Sequence, residues 1–229
     1  MAEGEWEILE TRIAGSEPIL RIPSAPNLKP MPGQYFQVYA PGFDETFAVS
    51  LFLIDNHHTY WDLTGEIPVY WTPGIRLRWR GPLGRGFDLL PNIRKTAFVP
   101  WLDHGLCLLP LVQQALSVQA AVVWYSHLVP DWLPPTVEVL PIELLPDVLN
   151  WAEYLAATCE LNHLPELVAA LGLKLPFSLN FSLEVLVQTP LVCGGIGECG
   201  VCSVKTRGGW KQACKDGPVF DLDQLELAA

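Results

Sequence analysis

Four of the six cysteines in this 229-residue chain fall close together near its end, and their spacing constrains the fold more than any other feature. They are Cys193, Cys199, Cys202 and Cys214, and Gly194, Gly195, Gly197 and Gly200 lie among the first three. Thiolates are soft ligands suited to zinc or to iron–sulfur clusters. A plant-type [2Fe–2S] centre takes three close cysteines, spaced C-x4-C-x2-C, and a distant fourth. Its loop must bring backbone N–H groups up to the sulfurs, and glycine permits that path because it accepts positive φ and close backbone approach. A structural zinc site prefers two compact C-x2–4-C hooks, and here only Cys199 and Cys202 form one. The pattern favours a [2Fe–2S] cluster, with zinc and unligated thiols as the alternatives. Cys107 and Cys159 stand alone in apolar surroundings and read as ordinary buried cysteines.

Composition narrows the class. A net charge of −11 and a pI near 4.8 argue against nucleic acid, whose phosphates demand lysine and arginine. The N-terminus, MAEGEWEILETRI, lacks the basic start and apolar stretch of a secretory signal, so a disulfide framework is not expected. The uncharged stretch between Asp103 and Asp131 is interrupted by Pro110, Gln113, Gln114 and Gln119, and it reads as a buried βαβ piece, not a membrane span. The expectation is a soluble, cytoplasmic chain with no membrane and no nucleic-acid partner. Only 17% of residues are charged, against roughly 25% in typical domains, which suggests that a protein partner covers part of the surface.

The chain reads as α+β and multi-domain, in three parts. Residues 1–90 form an N-terminal β-barrel. Its strands are EWEILETRI, PILRIPS, YFQVYAP, FAVSLFLID and IRLRWRG, separated by Pro/Gly turns. Residues 91–176 form a central α/β domain with a parallel sheet: TAFVPWL, AAVVWYS and TVEVLPI as strands, LLPLVQQAL, WAEYLAATCEL and LPELVAALG as helices, and Gly172 as the cap of the last helix. Residues 177–229 form a small C-terminal iron–sulfur domain, entered through FSLNFSLEVLVQTPLV and closed by a short acidic helix or tail.

The C-terminal stretch, with CKDGPVF at 214–220, resembles the iron–sulfur end of the dihydroorotate dehydrogenase electron-transfer subunit family. That family belongs to the ferredoxin–NADP reductase-like flavoproteins. PGQYFQV at 32–38 and GPLGRGF at 81–87 extend the resemblance into the barrel, so that it covers nearly the whole chain. It implies a flavin-binding barrel, a pyridine-nucleotide α/β domain, a cluster held by the four cysteines, and a partner oxidoreductase subunit.

The chain departs from that pattern in four places. Five residues separate Cys193 from Cys199 where the family has four. Ser50 keeps a flavin-binding position, but Phe47 stands where the family has an arginine for the FAD pyrophosphate, and phenylalanine cannot supply bidentate phosphate contacts. No Gly-Thr turn opening a helix lies between Asp55 and Pro73. Pro100, Trp101 and Asp103 replace the glycine turn that would approach a nucleotide pyrophosphate. FAD is therefore left open, and NAD(H) binding is not expected.

The expected function is an electron-transfer subunit that relays single electrons through [2Fe–2S] to or from a partner oxidoreductase, with its own NAD(H) site lost. The alternatives are a complete FAD/[2Fe–2S] reductase subunit, and an assembly or scaffold protein with a structural or absent cluster. His57 and His58 are adjacent and would point to opposite faces of a strand, so they read as a polar loop.

Overall fold

The computed structural model describes residues 2–43, 47–103, 105–174, 177, 179 and 181–227. Its first part is one antiparallel sheet of β1 (Ala2–Glu7), β2 (Glu10–Ala14), β3 (Glu17–Pro23), β4 (Tyr35–Tyr39), β5 (Val49–Asn56), β6 (Tyr60–Gly65) and β7 (Arg76–Leu83). The strand order is β1-β7-β4-β5-β6-β3-β2, so the two edge strands are consecutive in sequence. Only Ile8 and Leu9 join them. The Ile8 N–H donates to the Ile75 carbonyl beside β7, and the Leu9 N–H donates to the Arg21 carbonyl in β3. A two-residue link spans a few ångströms, so the sheet must curl until its edges meet. The interior is aromatic: Trp6 stacks on Trp79 at 4.6 Å and meets Phe36 edge-on at 5.2 Å. Alternation sets this up, because Leu77 and Trp79 of IRLRWRG are buried while Arg76 and Arg78 are exposed.

The strand β6 escapes a hydropathy reading because Asp62 sits in the middle of it, only 1% exposed. Arg12 and Arg21 each reach that carboxylate at 2.8 Å, which ties β2, β3 and β6 together and satisfies the buried charge.

The second sheet contains β8 (Lys95–Pro100), β9 (Ala121–Tyr125), β10 (Glu138–Leu140), β11 (Tyr154–Glu160) and β12 (Ser182–Gln188), with helices α1 (Leu109–Ser117), α2 (Val148–Trp151) and α3 (Leu164–Ala170) between strands. The chain then leaves the sheet for the cysteine loop, the hairpin of β13 (Ser203–Thr206) and β14 (Gly209–Gln212), and the short helix α4 (Ala213–Asp216). It returns as β15 (Val219–Asp221), antiparallel to β12, and completes the order β10-β9-β8-β11-β12-β15.

Two readings of the sequence are corrected here. The stretch WAEYLAATCEL is not a helix: Tyr154–Glu160 is a strand laddered in parallel to β8 on one side and β12 on the other. Its small apolar residues favour helix locally, but pairing on both edges and burial on both faces override that preference. Residues 177–229, read as a small C-terminal iron–sulfur domain entered through strand material, share the central sheet with residues 91–176. Their strands β12 and β15 belong to the central sheet, and the cysteine region is an insertion between them. Of the approach to β12, Ser178 and Asn180 lie outside the described residues.

The two sheets meet around Glu184 of β12, whose side chain is 2% exposed. It accepts from Arg85 Nη2 at 2.7 Å, from the Asp88 N–H at 2.8 Å and from the Tyr154 hydroxyl at 2.7 Å. Removing one member of such a buried set strands the others. Glu184→Ala is expected to lower unfolding free energy by about 3–5 kcal/mol, measured by urea denaturation. A loss near that of an exposed substitution would mean that this junction does not join the sheets.

Candidate metal centre

After β12 the backbone turns through Gly194 and Gly195 at φ 65° and 79°. Both residues are left-handed, and Cys193 is brought to Cys214. Its Sγ lies 3.7 Å from Cys214 Sγ. The Cys214 N–H donates to Cys202 Sγ at 3.4 Å, and the Cys202 thiol faces Gln212 Oε1 at 3.7 Å. Cys202 and Cys214 are buried, Cys193 is half-buried and Cys199 is exposed. Among the described residues no three His, Cys, Asp or Glu side chains close on one point as a mononuclear metal site; the thiols meet in pairs.

The electrostatics distinguish the cysteines. Burial alone would raise the Cys193 pKa, but hydrogen bonds from the Gly197 N–H, the Cys214 and Cys199 thiols and the Ile196 N–H bring it down to about 6. Cys214 is pushed the other way by burial and by its neighbours Cys202 and Cys193. A thiolate forms readily at Cys193, and Cys214 beside it holds its proton because like charges would crowd together. Four thiolates can coexist there only with a compensating cation. Backbone N–H groups aimed at sulfur, with thiols converging from both ends of an insertion, are the donor set that an iron–sulfur cluster requires, and the residues fit that group.

The barrel supports this loop. Tyr35 and Gln37 share one face of β4 by their two-residue spacing. The Tyr35 hydroxyl donates to the Cys214 carbonyl at 2.7 Å, and Gln37 Nε2 donates to the Leu191 carbonyl at 2.9 Å. The same amide reaches Ser50 Oγ at 2.5 Å. Ser50 is thus joined to the cysteine loop through Gln37, while Phe47 is exposed at the barrel surface. A cavity of about 470 Å³ opens beside them, lined by Gln37, Ala48, Arg78, Arg80 and Gly194 among others. Sequence reasoning missed Tyr35 and Gln37 as supports. The signal available was a glutamine inside an otherwise apolar strand, two residues from a tyrosine.

Pro100 ends β8 and is buried, and in the turn after it Leu102 adopts φ 62°. Of this turn, His104 lies outside the described residues. His57 stacks on Tyr60 at 4.6 Å near the barrel surface.

Comparisons with known proteins agree with this geometry. Residues 189–226 match the family described as the iron–sulfur cluster binding domain of dihydroorotate dehydrogenase B. Over 216 residues, 86% of each chain, the sequence is 26% identical to the electron transfer subunit of dihydroorotate dehydrogenase B (NAD(+)) from Clostridium acetobutylicum. A 39-residue stretch, 17% of this chain and 13% of the other, is 53% identical to sulfhydrogenase 1 subunit gamma from Pyrococcus furiosus. Among solved structures, the NADH-dependent reduced ferredoxin–NADP oxidoreductase aligns over 96% of this chain and 89% of that chain, with a TM-score of 0.76 and 16% identity. Phthalate dioxygenase reductase aligns over 93% and 78%, with a TM-score of 0.55 and 10% identity. At these identities the structural likenesses establish the fold of barrel, α/β layer and C-terminal cluster region.

The loop geometry carries a direct test at Gly194. A Cβ there would stand 2.6 Å from Arg80 Nη2, at a positive φ that larger residues resist. Gly194→Ala is expected to lower iron content per purified chain severalfold. Gly208→Ala, whose Cβ would meet only Thr206 Oγ1 at 3.8 Å, is expected to keep it. Equal iron in both would show that the loop does not depend on this turn.

Proposed function

Because the chain is a divergent member of the dihydroorotate dehydrogenase B electron-transfer subunit family, we propose that it holds a [2Fe–2S] cluster on Cys193, Cys199, Cys202 and Cys214 and relays single electrons to or from a partner oxidoreductase. The observation that carries this reading is the convergence of Cys193, Cys202 and Cys214 around N–H donors in an insertion braced by the barrel.

When bound, such a cluster supplies a site that accepts and returns one electron without proton transfer. The chain's own groups do the rest. The N–H groups of Ile196 and Gly197 on Cys193, and of Cys214 on Cys202, stabilise negative charge on sulfur and so favour the reduced state. Cys202 and Cys214 are shut away from solvent, while Cys199 faces outward and marks the side on which a partner would approach. The partner is a catalytic protein subunit in a hetero-oligomer. Among the described residues no helix is long and apolar enough to cross a membrane.

The nicotinamide site is lost in this reading, since buried Pro100 and the Trp101–Leu102 turn stand where small residues would meet a pyrophosphate. A second reading retains a flavin. It is favoured by the cavity beside Gly194, where Arg80 supplies positive charge at the edge of the cysteine loop while Arg78 is paired with Glu5. Fluorescence of the supernatant after acid denaturation separates the two, because released flavin emits and a cluster does not.

The cluster reading predicts that Cys199→Ser, Cys202→Ser and Cys214→Ser each abolish or reshape the visible absorption of the purified protein. Unchanged spectra in all three variants would remove the assignment. A colourless wild-type protein that is strictly monomeric in native mass spectrometry would favour the scaffold alternative.

A further inference from the structure

The turn after β8 lies where an open α/β sheet binds its ligands. From β8 the chain moves to β9 and β10 on one side, while β11 and β12 lie on the other, so the strand order reverses between β8 and β11. Ligands of such sheets sit beyond the carboxyl ends of the strands at that reversal, and nucleotide pyrophosphates are held there by N–H groups opening the next helix. In this chain a turn of 3-10 helix, Leu106–Leu108, runs directly into α1, and Gly105 precedes it.

The N–H groups at that opening are already engaged. Those of Gly105 and Leu106 both donate to Glu17 Oε1, at 3.0 and 2.9 Å. Glu17 is the first residue of β3 in the barrel, 88 positions from Gly105 in sequence. Two N–H groups converging on one carboxylate oxygen at the positive end of a helix reproduce the way such a terminus holds a phosphate oxygen. The glycine itself is needed for packing: a Cβ on Gly105 would stand 2.7 Å from the Trp124 ring. Cys107 next to this opening is fully buried, and its thiol is pushed up by burial and then by the Glu17 charge, which is consistent with a carboxylate lodged there.

We propose that Glu17 is a built-in anion: its carboxylate occupies the phosphate position of the α/β domain, closes that domain to nucleotide phosphates and fastens the barrel to it. This deepens the reading that the nicotinamide site is lost, and it stands independently of the cluster. The site would take a phosphoryl oxyanion only once the glutamate is removed.

The test is anion rescue of the holoprotein, with sodium pyrophosphate as the probe and sodium chloride at matched ionic strength as the control. Wild-type melting temperature is expected to respond alike to both salts. Glu17→Ala is expected to melt lower by roughly 2–4 °C and to regain most of that with millimolar pyrophosphate but not chloride. Glu17→Gln, which keeps one acceptor oxygen, is expected to fall between. Pyrophosphate stabilising wild type as much as Glu17→Ala would overturn the proposal, and so would variants that neither lose stability nor respond to pyrophosphate. If Glu17→Ala does not fold, hydrogen exchange on wild type decides: slow exchange of the Gly105 and Leu106 amides supports it, and exchange at the rate of open loops overturns it. A parallel NADH titration keeps the two readings apart. Wild-type protein binding NADH would refute the lost nicotinamide site, whereas unbound NADH with a Glu17-independent pyrophosphate response would refute only the internal anion.

Discussion

Two hydrogen bonds sent out from one face of β4 hold both ends of the cysteine insertion, and the candidate metal centre rests on them. Tyr35 fixes the carbonyl of Cys214, and Gln37 fixes the carbonyl of Leu191, two residues before Cys193. Both donors are buried. Each such bond contributes about 1 kcal/mol net, but a lost partner leaves a buried polar group that costs about 1–3 kcal/mol. The insertion's own regular structure is a two-stranded hairpin and the four-residue helix α4, which are marginal in isolation. Its sulfurs therefore come together because a strand of the barrel and two strands of the central sheet hold its ends.

Carboxylates, two of them buried, do the same work elsewhere. Asp62 joins three barrel strands through Arg12 and Arg21, Glu184 joins the barrel loop at Arg85 to the central sheet, and Glu17 reaches from the barrel to the opening of α1. A chain with 25 acidic and 14 basic residues thus spends several of its few arginines on internal acids.

This division also explains what the sequence disclosed. The cysteine cluster was legible because ligand spacing and glycine content are local properties, and the barrel strands were legible where alternation was clean, as in IRLRWRG. The strand β11 was not, since its alanines prefer helix until β8 and β12 pair with it. The limit at 177 was not, because β12 and β15 complete a sheet that begins at Lys95. The supports of the site were hidden most deeply: Tyr35 and Cys214 are 179 positions apart, and Gln37 and Leu191 are 154 apart. No local pattern announces such pairs.

The central claim is that the four thiols hold iron and sulfide. Iron, zinc and acid-labile sulfide analysis of the anaerobically purified wild-type protein, joined to EPR of the dithionite-reduced sample, tests it most directly. The account predicts about two irons and about two sulfides per chain, with a reduced-state EPR signal that is absent before reduction. About one zinc per chain, with no labile sulfide and no signal on reduction, would contradict it.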